Sequence, residues 1–203
     1  MTILKSLNKV GNLFHSKKSL KVVMVGLDYS GKTTILYKLK LGCIIETIPT
    51  IGINIETIEM KNDSFTIYDV CGVDSTKLLW KKYMKTSNAI IFVLDSSDRE
   101  RLADVAIELK IILDEPNLAN TPLLIMANKQ DEPNSLSIAE LTQQLNLHSI
   151  CKNRAWHIQK TVAMTGEGLD KSFDWLSRTP HRVLQRKSTF SLEKKYVLNK
   201  TIK

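Results

Sequence analysis

A chain of 203 residues suits one globular domain, and its 43% apolar and 25% charged residues allow a packed core and exclude wholesale disorder. No uncharged apolar run approaches the roughly 18 residues of a membrane span, and three scattered cysteines, Cys43, Cys71 and Cys151, exclude a disulfide framework or a cysteine-rich zinc site and fit a reducing, cytoplasmic compartment. The net charge of +8 lies in the tails: residues 1–22 hold five lysines and no acid and residues 178–203 eight Lys/Arg and one Glu, so residues 23–177 keep 16 basic against 20 acidic residues. A nucleic-acid-binding domain carries its basic stripe on the folded face; basic tails on an acidic body fit an anionic membrane surface at least as well, and no nucleic-acid partner is expected.

In chain order, residues 1–19 read as an amphipathic helix, with Ile3, Leu4, Leu7, Val10 and Phe14 on one stripe and Lys5, Asn8, Lys9 and Asn12 opposite. Such a helix either lies in an anionic lipid interface or docks on the protein's own surface. Leu20 to Val25 reads as a buried strand bounded by Gly26, and Gly31 to Leu41 as a helix ended by Gly42. Ile51 to Ile58 and Phe65 to Val70 alternate like strands around a turn at Lys61-Asn62-Asp63. Ala89 to Leu94 and Leu123 to Ala127 are apolar runs of the kind covered on both faces. Between them, Arg99 to Leu113 has a helical period; Ile138 to Leu145 and Leu169 to Leu176 predict further helices around a strand from Trp156 to Val162. The alternation predicts one α/β domain over 20–180, a doubly wound, mostly parallel sheet of about six strands with helices on both faces. Residues 181–203 form a basic extension, read as a disordered tail or as a second membrane or partner contact.

Gly26-Leu27-Asp28-Tyr29-Ser30-Gly31-Lys32-Thr33 fits GxxxxGK[ST] at a strand-to-helix junction, the context that motif needs. Its glycines let backbone N–H groups wrap phosphate oxygens, and the helix N-terminus adds a favourable dipole. Leu27, Asp28, Tyr29, Ser30, Gly31, Lys32, Thr33 and Thr34 are thus expected to bind nucleotide phosphates, with Lys32 bridging the β- and γ-phosphates and Thr33 ligating Mg²⁺.

Asn128-Lys129-Gln130-Asp131 directly follows a predicted strand, where ligands bind in open α/β sheets. The Asp131 carboxylate matches guanine N1–H and its exocyclic amine, and adenine has no N1–H to offer. Asn128 can brace the loop, the Lys129 stem can lie over the base, and backbone N–H groups at Val162-Ala163-Met164 can reach guanine O6. GTP or GDP with Mg²⁺ is the expected ligand.

Taken together these residues resemble the Arf/Arl family of small GTPases from about Leu20 to Leu176. The resemblance rests on Gly26 to Thr34, Pro49-Thr50 through Glu56, Asp69-Val70-Cys71-Gly72, Leu94 to Arg101, Ala127 to Asp131, and Gly166 to Leu169 before Trp175. It implies a P-loop G domain in which Thr50 closes on Mg²⁺ and the γ-phosphate, Asp69 holds Mg²⁺ through water, and the Gly72 N–H senses the γ-phosphate. Thr50, Gly72 and Lys32 are the implied catalytic residues, and Thr33 and Thr50 the implied metal ligands. The hairpin from Ile51 to Val70 would be the interswitch that shifts register between nucleotide states.

The departures bear on mechanism. Val73 stands where the family has its water-positioning Gln, and valine can neither donate nor accept a hydrogen bond. Slow or partner-dependent hydrolysis is expected. Tyr68 replaces the family's Trp, Cys71 a Gly and Ile53 a Phe, so the apolar effector patch of Ile53, Tyr68 and Tyr83 implies a changed effector set. Tyr29 replaces a small residue and is expected to crowd the phosphates. The resemblance further implies exchange factors, GTPase-activating proteins and effectors as partners, a monomer, and a role in vesicle trafficking on the cytosolic face of endomembranes such as Golgi or endosomes. Met1-Thr2 offers no myristoylation site and Thr-Ile-Lys no prenylation box, so membrane contact through the N-terminal helix would rest on its apolar face and charge. A constitutively GTP-bound, non-hydrolysing scaffold is the competing reading. A nucleotide kinase is weaker, because it has no use for the Asn128–Asp131 motif or for Thr50.

Overall fold

The computed structural model describes residues 18–45, 52–60, 63–70, 83–84 and 86–179. Six strands form one sheet: β1 (Lys18–Val25), β2 (Ile53–Glu59), β3 (Asp63–Val70), β4 (Ala89–Asp95), β5 (Leu123–Asn128) and β6 (Trp156–Lys160), in the order β2-β3-β1-β4-β5-β6. Only β2 runs antiparallel to its neighbour; β3, β1, β4, β5 and β6 are mutually parallel. The chain leaves β1 in one direction and crosses it in the other to reach β4, so the crevice beyond the carboxyl end of β1 is where such a sheet binds ligands.

The helices are α1 (Lys32–Leu41), α2 (Leu102–Leu113), α3 (Ile138–Gln144), the short α4 (Leu147–Ile150) and α5, residues 169–179. Helix α1 is stopped as expected by Gly42, at φ 69°, whose N–H closes on the Lys38 carbonyl at 3.0 Å. Helix α3 starts on a reciprocal cap in which Ser137 and Glu140 satisfy each other's backbone N–H groups. Side chains alternate across the sheet because its period is two. Ile90, Phe92 and Leu94 join Val105, Leu109 and Ile112 of α2 in one core layer, while Ile91 and Val93 join Ile35 and Leu36 of α1 and Phe173 and Leu176 of α5 in the other. Burial on both faces explains why β4 and β5 read as uninterrupted apolar runs.

Several boundaries differ from the sequence reading. Strand β1 begins at Lys18, inside the segment assigned to the N-terminal helix, and Asp63 opens β3 instead of forming part of a turn. Arg99 to Arg101 are not helical, because the Asp98 carboxylate accepts the Arg101 N–H at 3.1 Å and holds that stretch as a turn, so α2 starts at Leu102. Strand β6 stops at Lys160; Val162 instead bridges to Glu167. The 3₁₀ turn Pro116–Leu118 and α4 were not expected; both are too short to establish a hydrophobic period. Among the described residues, no helix is long and apolar enough to cross a membrane.

Phe173 ties α5 to the sheet: its ring meets Phe65 edge-on, with centroids 4.9 Å apart, and is almost fully buried. Phe173→Ala is expected to lower unfolding stability by about 3–5 kcal/mol in urea titration.

Candidate functional site

The loop after β1 is shaped by two close backbone approaches. Gly26 takes φ 139°, and a Cβ there would sit 2.0 Å from the Val93 carbonyl oxygen, so only glycine lets the loop press against β4. At the far end Gly31 takes φ 93°, where a Cβ would stand 2.3 Å from Asn128 Nδ2. Between them the Ser30 hydroxyl donates to the Leu27 carbonyl at 2.9 Å. Lys32 is buried, and its Nζ donates to the carbonyls of Gly26 at 3.0 Å and Leu27 at 2.7 Å. The cation thus lies across the loop that was predicted to surround phosphates. Tyr29 adopts φ 58° and is 74% exposed; its ring points to solvent and is not packed into the loop.

Thr33 and Thr34 occupy the first turn of α1. The Thr33 hydroxyl donates to Asp69 Oδ2 at 2.8 Å, and Asp69 is fully buried near the end of β3, opposite Met24 of β1. Two residues 36 apart in sequence therefore converge as hard oxygen donors beside the loop, a donor chemistry suited to Mg²⁺.

Asn128, at the end of β5, is the junction of the site. Its Nδ2 donates to the Ser30 carbonyl at 2.9 Å, and its Oδ1 accepts the Ala163 N–H at 3.0 Å and the Thr161 hydroxyl at 3.3 Å. The bracing expected of Asn128 is present. The Ala163 N–H is therefore committed to Asn128, and the Val162 N–H to the Glu167 carbonyl at 3.0 Å. Both N–H groups are thus turned to acceptors within the protein, and Met164 stands beyond them, half exposed. Lys129 takes φ 60° and pairs with Asp95 at 2.5 Å, and Asp131 is exposed on the same loop.

Three participants had no role in the sequence reading. Thr161 is buried under Asn128. Asp95 receives the Ser97 N–H and hydroxyl as well as Lys129. Arg101 reaches Asp28 in the loop at 2.5 Å and Asp98 at 2.6 Å. Asp95, Asp98 and Arg101 lie in the Leu94–Arg101 stretch, whose dense charge directly after a buried strand was the available signal.

Of the proposed effector patch, Tyr68 and Tyr83 pack with ring centroids 5.0 Å apart, and Ile53 lies against the same core layer. Ile55, opposite Tyr68 in register and 50% exposed, extends that face. Thr50, Gly72 and Val73 lie outside the described residues, as do residues 1–17 and 180–203.

The model of the ADP-ribosylation factor family matches residues 6–180. The chain belongs to that family. Among solved structures it is similar to the Arl6 (BBS3) small GTPase from Trypanosoma brucei with a bound nucleotide analogue, GppNp. Sequence identity is 34%, the match covers 81% of this chain and 98% of that chain, and the TM-score is 0.74. The six-stranded, mostly parallel sheet is the small-GTPase P-loop fold, and an Arf-type GTPase switch is what that membership brings.

Burial alone would raise the Asp95 carboxyl, but hydrogen bonds from Lys129 and Ser97 outweigh it and hold the group below the ordinary carboxylate range. A depressed folded value stabilises the fold above the unfolded carboxyl's pKa and is lost as pH falls through the folded one. Asp95→Asn is therefore expected to cost about 1–3 kcal/mol at pH 7, with the difference from wild type shrinking below about pH 4 in urea titrations run across pH.

Proposed function

We propose that this protein binds GTP and GDP with Mg²⁺, recruits effectors to cytosolic membrane faces in its GTP state, and hydrolyses GTP slowly or only with help from a partner. The observation that carries the nucleotide reading is the Asn128 junction, which joins the Gly26–Lys32 loop to the Asn128–Asp131 loop and to Ala163 in one rigid unit. A P-loop used only as a tight turn has no need of that coupling.

In this reading Leu27 to Thr34 hold the phosphates, and Lys32 leaves the Gly26 and Leu27 carbonyls to bridge the β- and γ-phosphates. Thr33 and Thr50 ligate Mg²⁺, with Asp69 behind them; the ion neutralises phosphate charge when bound. Gly72 senses the γ-phosphate. Lys129 covers the base, and Asp131 selects guanine through N1–H and the exocyclic amine. Because the N–H groups of Val162 and Ala163 are taken up internally, the contact to guanine O6 is assigned to Met164. The Tyr68–Tyr83 face with Ile53 and Ile55 receives effectors. The apolar stripe from Ile3 to Phe14 contacts anionic membrane, and trafficking on Golgi or endosomal membranes is the setting the family suggests.

Val73 supports the kinetic part of the proposal. A side chain without polar atoms cannot orient an attacking water, while the residues that hold nucleotide are all present. It equally favours a second reading, a persistently GTP-loaded scaffold. The nucleotide retained by the purified full chain, identified by chromatography after denaturation, separates them. GDP means that hydrolysis proceeds despite Val73; GTP means that the chemical step has failed; no guanine nucleotide overturns the function. Val73→Gln is expected to raise single-turnover GTP hydrolysis at least about tenfold, and an unchanged rate would place the defect elsewhere.

A further inference from the structure

A carboxylate in a loop meant for phosphates is an electrostatic liability. Asp28 sits in the middle of the Gly26–Lys32 loop, and a triphosphate carries about one more negative charge than a diphosphate. The structure turns that carboxylate aside. Arg101 Nη1 meets Asp28 Oδ1 at 2.5 Å, and Nη2 donates to the Asp28 carbonyl at 3.4 Å, so side chain and backbone of the same residue are held together. The guanidinium is itself immobilised, because Nε donates to Asp98 Oδ2 at 2.6 Å and the Arg101 N–H to Asp98 Oδ1 at 3.1 Å. Hydrogen bonds donated to Asp98 and then to Asp28 outweigh burial and keep the guanidinium firmly protonated. The pocket beneath, lined by Leu27, Ser30 and Leu94 among others, holds only about 10 Å³, roughly one water. Asp28 and Arg101 are 73 residues apart, so the contact joins the phosphate loop to the turn after β4.

We propose that Arg101 is a positioning residue for nucleotide binding: it draws the Asp28 carboxylate out of the phosphate loop and neutralises it, and thereby sets the loop's tolerance for a γ-phosphate. The inference rests on the guanine-nucleotide reading above. Its signature is a bias between nucleotides, since an unmasked carboxylate repels GTP more than GDP. The planar fork of Arg101 engages Asp28 and Asp98 together, which the single ammonium of a lysine cannot reproduce.

The test follows release of fluorescent GDP and of a fluorescent non-hydrolysable GTP analogue from the full chain with Mg²⁺. The proteins are wild type, Arg101→Ala, Arg101→Lys, and each of those variants combined with Asp28→Asn. Arg101→Ala is expected to speed release of the GTP analogue about tenfold and of GDP clearly less, with Arg101→Lys between. Adding Asp28→Asn to Arg101→Ala is expected to slow release of the GTP analogue at least about threefold relative to Arg101→Ala alone. Equal acceleration of both nucleotides without recovery on adding Asp28→Asn would reduce Arg101 to a structural prop and overturn the proposal, as would unchanged release. Should Arg101→Ala fail to fold by thermal melting, Arg101→Lys with and without Asp28→Asn makes the same comparison. A wild-type chain that retains neither nucleotide refutes the guanine reading itself, whereas one that retains both with release indifferent to position 101 refutes this inference alone.

Discussion

The side-chain amide of Asn128 spans three segments that lie far apart in sequence. It gives a hydrogen to Ser30 in the loop after β1 and takes hydrogens from Thr161 and Ala163 beyond β6, while sitting itself at the end of β5. An amide is the side chain that both donates and accepts along one short plane, and Asn128 is nearly inaccessible to water, so each lost partner would leave a buried polar group unsatisfied. The absence of a side chain at Gly31 is what lets that amide come so near. This contact ties the Gly26–Lys32 loop, the end of β5 and the segment after β6 to one another.

The sheet supplies the rigidity that the junction requires. Apolar side chains fill both faces of β1, β4 and β5, so their carboxyl ends are held in register and the loops leaving them begin from fixed points. The same geometry brings Thr33 and Asp69 to hydrogen-bonding distance although they belong to a helix and to a strand paired with β1.

Charge around the site is arranged in fixed pairs. Lys129 is held by Asp95, and Arg101 by Asp98 and Asp28. Asp95, Asp98 and Asp28 beside the Gly26–Lys32 loop are therefore matched by cations whose own positions are fixed. In the proposed function, nucleotide binding would draw on groups from β1, β3, β5, the segment after β6 and α1, whereas positioning a water would fall to position 73, a valine.

How much was legible beforehand follows from the range of each interaction. The phosphate loop, the Asn128–Asp131 loop and the central strands were visible because glycine spacing and apolar runs are local signals written over five to ten residues. Family membership was legible for the same reason, since it rests on ordered short motifs. The start of α2 departs from the helical periodicity because a single Asp98 hydrogen bond competes with it, and α4 carries no sequence signal because one turn has no period to read. The involvement of the Ala163 N–H with Asn128, the role of Thr161 and the reach of Arg101 to Asp28 depend on residues 35, 33 and 73 positions apart. By itself the sequence determined which chemistry the chain carries, because that lies in residue types and short spacings. The tertiary structure alone decided which of those groups are engaged with one another, because contacts across a sheet are set by strand order and register, and no local pattern encodes them.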